Sequence, residues 1–154
     1  MTSEVTVEHT LVELGDLPNP IKMQDIAAAL THLSKIVYND NVKVGWWKDS
    51  VSGRDLVPGF NAADNIRNTG LVLALIHSEV SEALEGFRKD LMDDHLPHRK
   101  MAEVELADTI IRIMDLAGAY EMDIGAALIE KLEYNKHRAD HKIENRQAAG
   151  GKAF

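Results

Sequence analysis

The chain contains no cysteine, so disulfides, thiolate zinc sites and a cysteine nucleophile are excluded. It has no apolar run approaching the length of a transmembrane span. Its start, Met1-Thr2-Ser3-Glu4-Val5-Thr6, lacks the charged-then-apolar order of a signal peptide, and a cytoplasmic location is expected. Positive charge is also scarce: 17 Lys and Arg against 25 Asp and Glu leave a formal net charge of −8. Such a balance is unsuited to bulk binding of nucleic acid or anionic membranes. It still admits a small anionic ligand held locally by a metal and a few basic side chains. There is no strong strand pattern and no internal repeat. The remainder, 154 residues with 45% hydrophobic and 27% charged side chains, is ordinary for one domain that buries its own core.

The apolar spacing predicts an all-α protein, an antiparallel bundle of about four main helices. Asn19 can cap a first helix with Pro20 at its first position. Ile21, Ile26, Ala29, Leu30, Leu33 and Val37 carry that helix to about Tyr38, where Asn39-Asp40-Asn41 should break it. Residues 41–65, with Gly45, Gly53, Pro58 and Gly59, are the least regular. A second helix is expected over 65–89, with Val72, Leu75, Ile76, Val80, Ala83 and Phe87 as its apolar stripe. A polar connection follows, and a third helix over 100–120 should bury Val104, Ala107, Ile111 and Met114. Asp123 is a plausible cap for a fourth helix ending near Arg138. Residues 1–140 form the expected domain, and 141–154 an extended or flexible tail.

Two acidic pairs interrupt the apolar stripes: Glu79-x-x-Glu82, then Glu105-x-x-Asp108. A spacing of i, i+3 puts both members of a pair on one helical face. If the two helices pack antiparallel, four carboxylates converge in a helical core. Isolated solvated acids are common, but these lie in line with Val72, Ile76 and Ala83, with Leu75, and with Met101, Val104 and Ile111. Inward acids must be paired, protonated or metal-bound. The simplest neutraliser is a hard divalent cation, so Mg²⁺ is the expected cofactor, with Mn²⁺ as a substitute. Glu85 and Glu103 flank the pairs and read as peripheral. A di-iron carboxylate bundle would need Glu-x-x-His on two helices, and no Glu here is followed by His three residues later.

Lys131, Asn135 and Arg138 fall at i, i+4 and i+7 on the fourth helix. They can hold phosphate oxygens as two cations and an amide donor, or form a solvated basic face. Arg88 and Lys89 complement the dipole at a helix end. His137 and His141 have zinc-compatible spacing but read as a solvated pair, and His95 and His98 as loop residues. Trp46 and Trp47, the only tryptophans, sit in a loop-like segment. They are candidates to stack on a nucleobase, or to cover a bundle end or oligomer interface.

The ordered set Glu79-x-x-Glu82, Glu105-x-x-Asp108, Lys131-x-x-x-Asn135-x-x-Arg138 resembles the MazG-like all-α nucleoside triphosphate pyrophosphohydrolases, particularly their small single-domain members in bacteria and phages. The likeness runs from about Asn65 to Arg138, through the strings LIHSEVSEALEGFRKDL and EVELADTIIRIMDLAGAY. It implies Mg²⁺-dependent cleavage of a nucleoside triphosphate between the α and β phosphates, giving monophosphate and pyrophosphate. It implies a homo-oligomer, dimer or tetramer, with active sites completed across a subunit interface. By position, Glu79, Glu82, Glu105 and Asp108 would be metal ligands, with Glu79 or Glu82 also polarising the attacking water. Lys131, Asn135 and Arg138 would hold the phosphate chain. Residues 21–64 lie outside the shared motifs, so roles for Trp46, Trp47 and Lys48 rest on their chemistry alone. Two alternatives stand beside this reading: a phosphoribosyl-ATP pyrophosphohydrolase using the same metal logic, and a non-catalytic helical interaction module whose acids are structural.

Overall fold

The computed structural model describes residues 11–12, 21–59 and 65–150. The described residues are mainly helical. The elements are β1 (Leu11–Val12), β2 (Ile21–Lys22), α1 (Met23–Lys43), β3 (Val57–Gly59), β4 (Ile66–Asn68), α2 (Thr69–Lys89), α3 (Met101–Ala119), α4 (Ile124–Lys136) and α5 (Ile143–Gln147), with a 3₁₀ turn at Ala139–His141. β1 pairs antiparallel with β2, and β3 parallel with β4. These short pairings, too brief for an alternation signal, were not expected from the sequence. Among the described residues no helix is long and apolar enough to cross a membrane.

The chain divides into two compact units: His32–Met122, and a second made of Met1–Thr31 with Asp123–Phe154. The centre of the first is the antiparallel pair α2 and α3. Asn68 starts α2 by accepting hydrogen bonds at Oδ1 from the N–H groups of Gly70 and Leu71, at 2.8 and 3.3 Å. This side-chain cap places the helix start a few residues beyond the predicted Asn65. Asp90, in the left-handed conformation (φ 51°), closes α2 by donating its N–H to the Gly86 carbonyl. In the connection, buried Asp93 accepts from the N–H groups of His95 and Leu96. The Met101 N–H then returns to the Leu91 carbonyl at 3.0 Å. At the far end of the pair, the Thr69 hydroxyl hydrogen-bonds Tyr120 Oη and donates to the Gly59 carbonyl.

Several predicted features change in the folded chain. α1 runs through Asn39-Asp40-Asn41 instead of stopping there. The weak helix propensity of these residues costs only tenths of a kcal/mol each, roughly 0.7 at most. It is outweighed by packing of Ser34 and Tyr38 against α3 and by the Asp40–Lys43 ion pair at 2.7 Å. The chain turns away at Gly45, whose φ of 93° suits glycine. On α2, Val72 and Ala83 are buried, whereas Val80 and Phe87 are exposed. On α3, Met114 is buried and Ile111 is exposed; the inward face includes Ala102, Glu105 and Thr109 instead. The polar groups occupy more of the helix contact, and the apolar groups less, than periodicity alone suggests.

In the second unit Asp123 caps α4 as expected, accepting from the Ala126 N–H at 3.2 Å and from the Thr31 hydroxyl at 2.7 Å. α4 ends at Lys136, so Arg138 lies beyond the helix on extended backbone. In the predicted tail, Ile143–Gln147 is helical. The predicted cap at Asn19-Pro20 and residues 151–154 lie outside the described residues.

Gly118 sets the approach of α1 to α3: a Cβ there would meet the Ser34 carbonyl oxygen at 2.4 Å and Tyr38 Cβ at 2.6 Å. Because backbone blocks that space, Gly118→Val should cost about 1–3 kcal/mol. Thermal denaturation should show a lower Tm with an unchanged helical spectrum below the transition.

Candidate metal centre

The antiparallel register of α2 and α3 brings Glu79, Glu105 and Asp108 together, with one carboxylate oxygen from each within 4.8 Å of the others. Glu79 is the most enclosed (6% exposed), Glu105 lies at the edge of burial (9%), and Asp108 is more open. The trio therefore has a buried floor and a solvent side. Opposed ligand oxygens of a small octahedral cation lie about 4 Å apart, and those of Ca²⁺ about 5 Å. Three carboxylates at this spacing have the donor chemistry and the spread to hold one hard divalent ion.

Glu82, the fourth predicted ligand, is exposed and outside the converged trio. Its charge still acts on Glu105. Glu85 pairs with Arg88 and Lys89, and Glu103 with Arg99, so these flanking acids form surface ion pairs.

The Glu105 carboxyl is pushed up from 4.5 to about 7. Burial is the largest cause, followed by its hydrogen bond with Glu79 and the charges of Glu82, Glu79 and Asp108. Arg112 supplies a compensating charge, its Nη2 forming an ion pair with Glu79 Oε1 at 2.6 Å. Sequence reasoning missed Arg112. Its signal was available, because it follows Asp108 by four residues and Glu105 by seven, the spacing of one helical face.

A second polar cluster anchors the turn after α1. Trp47 is buried (3% exposed), donates from Nε1 to Asp115 Oδ1 at 2.9 Å, and meets Tyr38 edge-on at 5.2 Å between ring centroids. The Arg67 guanidinium stacks 4.7 Å over the Trp47 ring and donates to the Trp46 carbonyl at 2.6 Å. Its second partner is Asp115, at 4.0 Å. Burial holds the Arg67 pKa below its ordinary value, against the Asp115 charge and with the Arg112 charge. The Trp47 ring is thus taken up by protein contacts. Trp46, 60% exposed, is the tryptophan whose surface is open. The two neighbours have opposite environments that sequence alone could not distinguish. Lys48 pairs with Asp55 at 2.5 Å.

The three residues predicted to bind phosphate belong to the unit containing α4. Lys131 Nζ lies 4.5 Å over the Tyr134 ring. Asn135 Oδ1 is buried with no hydrogen-bond partner among the described residues. Arg138 makes a two-pronged contact with Asp140, from Nε to Oδ1 at 2.9 Å and from Nη2 to Oδ2 at 2.5 Å. That contact draws the Asp140 carboxyl down to about 2. Arg138 already holds a carboxylate in the geometry in which arginine holds phosphate. His137 pairs with Glu133 at 3.1 Å.

Comparison of the chain with known protein families, with curated proteins and with solved structures finds no match.

The raised Glu105 pKa has a definite sign for stability. A carboxyl that titrates higher when folded than when unfolded binds a proton on folding. Its contribution is full below the ordinary glutamate range and is lost as pH rises through about 7. Thermal melts in a chelator should therefore show Glu105 lowering stability across this window, and Glu105→Gln should flatten the dependence. Because a divalent ion competes with that proton, its affinity should rise over the same pH range, as read by calorimetry.

Proposed function

We propose that the protein is a Mg²⁺-dependent nucleoside triphosphate pyrophosphohydrolase, cleaving (d)NTP between the α and β phosphates to (d)NMP and pyrophosphate. The observation carrying this reading is the convergence of Glu79, Glu105 and Asp108 within 4.8 Å on the contact face of two helices. The motif order that resembles the MazG-like enzymes supports it. A clustered acid set of this kind suits a cation that handles phosphate, because Mg²⁺ is commonly shared between carboxylates and substrate phosphate oxygens.

In this reading Glu79, Glu105 and Asp108 hold the ion, with Glu82 beside them. When bound, the ion supplies neutralisation of the triphosphate's charge and Lewis acidity toward it. Glu82, outside the trio and exposed, accepts a proton from the attacking water as the water oxygen bonds to the α-phosphorus. The bond from that phosphorus to the bridging oxygen breaks, and pyrophosphate leaves with the electron pair. Lys131, Asn135 and Arg138 take the phosphate-holding role, which requires Arg138 to exchange the Asp140 carboxylate for a phosphate. Trp46 is the candidate for stacking on the base. A cytoplasmic location, where nucleotides reside, belongs to the same reading.

The oligomer belongs here too. Leu73, Val80, Leu84 and Phe87 recur at helical spacing on one exposed face of α2, with Leu106 and Ile110 exposed on α3. An apolar face of this kind marks an interaction surface, and a second copy of the α2–α3 pair would complete a four-helix bundle. Leu84→Glu combined with Phe87→Glu should reduce the particle to a monomer in light scattering. An unchanged mass would remove this face as the interface.

The reaction is tested with a panel of ordinary and modified NTPs and dNTPs in Mg²⁺ or Mn²⁺, products being separated by ion exchange. Monophosphate and pyrophosphate are expected; diphosphate and phosphate would place the cleavage elsewhere. Glu82→Ala should lower turnover roughly 10²–10⁴-fold, the usual reach of a general base. Asp108→Ala should abolish it, with helical circular dichroism retained in both. Wild-type turnover in either variant would end the assignment.

A further inference from the structure

Arg112 places a permanent positive charge at the edge of the acid cluster, through its contact with Glu79 Oε1 at 2.6 Å. Glu79 is itself one of the three converged carboxylates. The guanidinium is only partly engaged: Nε is buried without a partner among the described residues, although the side chain is 32% exposed. Arg112 also sits close enough to Arg67 for the two charges to repel. Among the described residues, the one carboxylate in contact with it is that of Glu79.

We infer that Arg112 is the resident counter-cation of the acid cluster, neutralising Glu79 in the absence of metal and holding down the site's affinity for a free divalent ion. The inference rests on reading the trio as a metal centre. Its physical basis is charge alone. A fixed cation a few ångström from a divalent ion opposes binding, while the same cation lets the carboxylates pack together without the ion. Packing of the acids without an ion and a restrained affinity for one then follow from the same charge. A residue that merely braced Glu79 would act in the opposite direction, since its loss would misplace a ligand and weaken metal binding.

The test compares wild type, Arg112→Gln and Arg112→Lys in nucleotide-free buffer, using Mn²⁺ calorimetry and thermal melts with and without Mn²⁺. Arg112→Gln should bind Mn²⁺ roughly ten-fold or more tightly than wild type, because one opposing charge is gone. Its metal-free Tm should be lower and its rise on adding Mn²⁺ larger. Arg112→Lys, which keeps the charge, should stay within about three-fold of wild type. If Arg112→Gln is unfolded without metal, refolding on Mn²⁺ addition is the expected result, and failure to refold overturns the inference. Binding by wild type with equal or weaker binding by Arg112→Gln also overturns it, leaving the metal reading intact. Absence of Mn²⁺ binding in every protein overturns the metal reading itself and the inference with it.

Discussion

Like charges meet where α2 and α3 touch, and their neighbours are arranged around the cost of that meeting. Two unit charges about 5 Å apart repel by about 3 kcal/mol at an effective dielectric of 20, a large fraction of a domain's stability. Glu79, Glu105 and Asp108 cannot all remain ionised at this spacing without help. Two features of the chain ease this: the Glu105 carboxyl is pushed up to about 7, and the guanidinium of Arg112 pairs with Glu79. A divalent cation would ease it further. Such a contact is costly for a helix pair, and its three carboxylates could hold a divalent ion.

The rest of the His32–Met122 unit keeps that contact in register. Capping by Asn68 and the reversal through Asp90 and Asp93 determine where α2 begins and where α3 starts back. The Thr69–Tyr120 hydrogen bond joins their other ends. One residue of slip along either helix would rotate its acids by about 100° and disperse the trio. Asp115 lies on the same helix as Asp108 but has a different environment. It is enclosed by Trp47 and Arg67, so its charge is matched within the protein and it anchors the turn carrying Trp46.

The apolar surface follows a related division. Val72 and Ala83 are buried, while Leu84 and Phe87 remain 61% and 70% exposed. α2 thus carries two apolar faces, one of them shared with Glu79. A helix occupied by charged side chains on its inner face has less apolar area to bury within its own chain. The second face leaves that area exposed among the described residues.

The mainly helical character, the acidic pairs and the Asp123 cap were legible from residue order, because a 3.6-residue repeat and a capping side chain are local properties. The length of α1 was not, because Asn39-Asp40-Asn41 have weak propensities that distant packing at Gly118 overrides. The division between Glu82 and the other three acids was also hidden. All four share the same motif spacing, and only the crossing of α2 with α3 determines which oxygens meet. Arg112 could have been flagged by its spacing, yet its partner is on another helix and no local rule names it. By itself the sequence determined which side chains were available on each helical face. Only the tertiary structure decided which charges would be neighbours, which tryptophan would be enclosed and which apolar face would stay open, because those outcomes depend on distances between segments far apart in the chain.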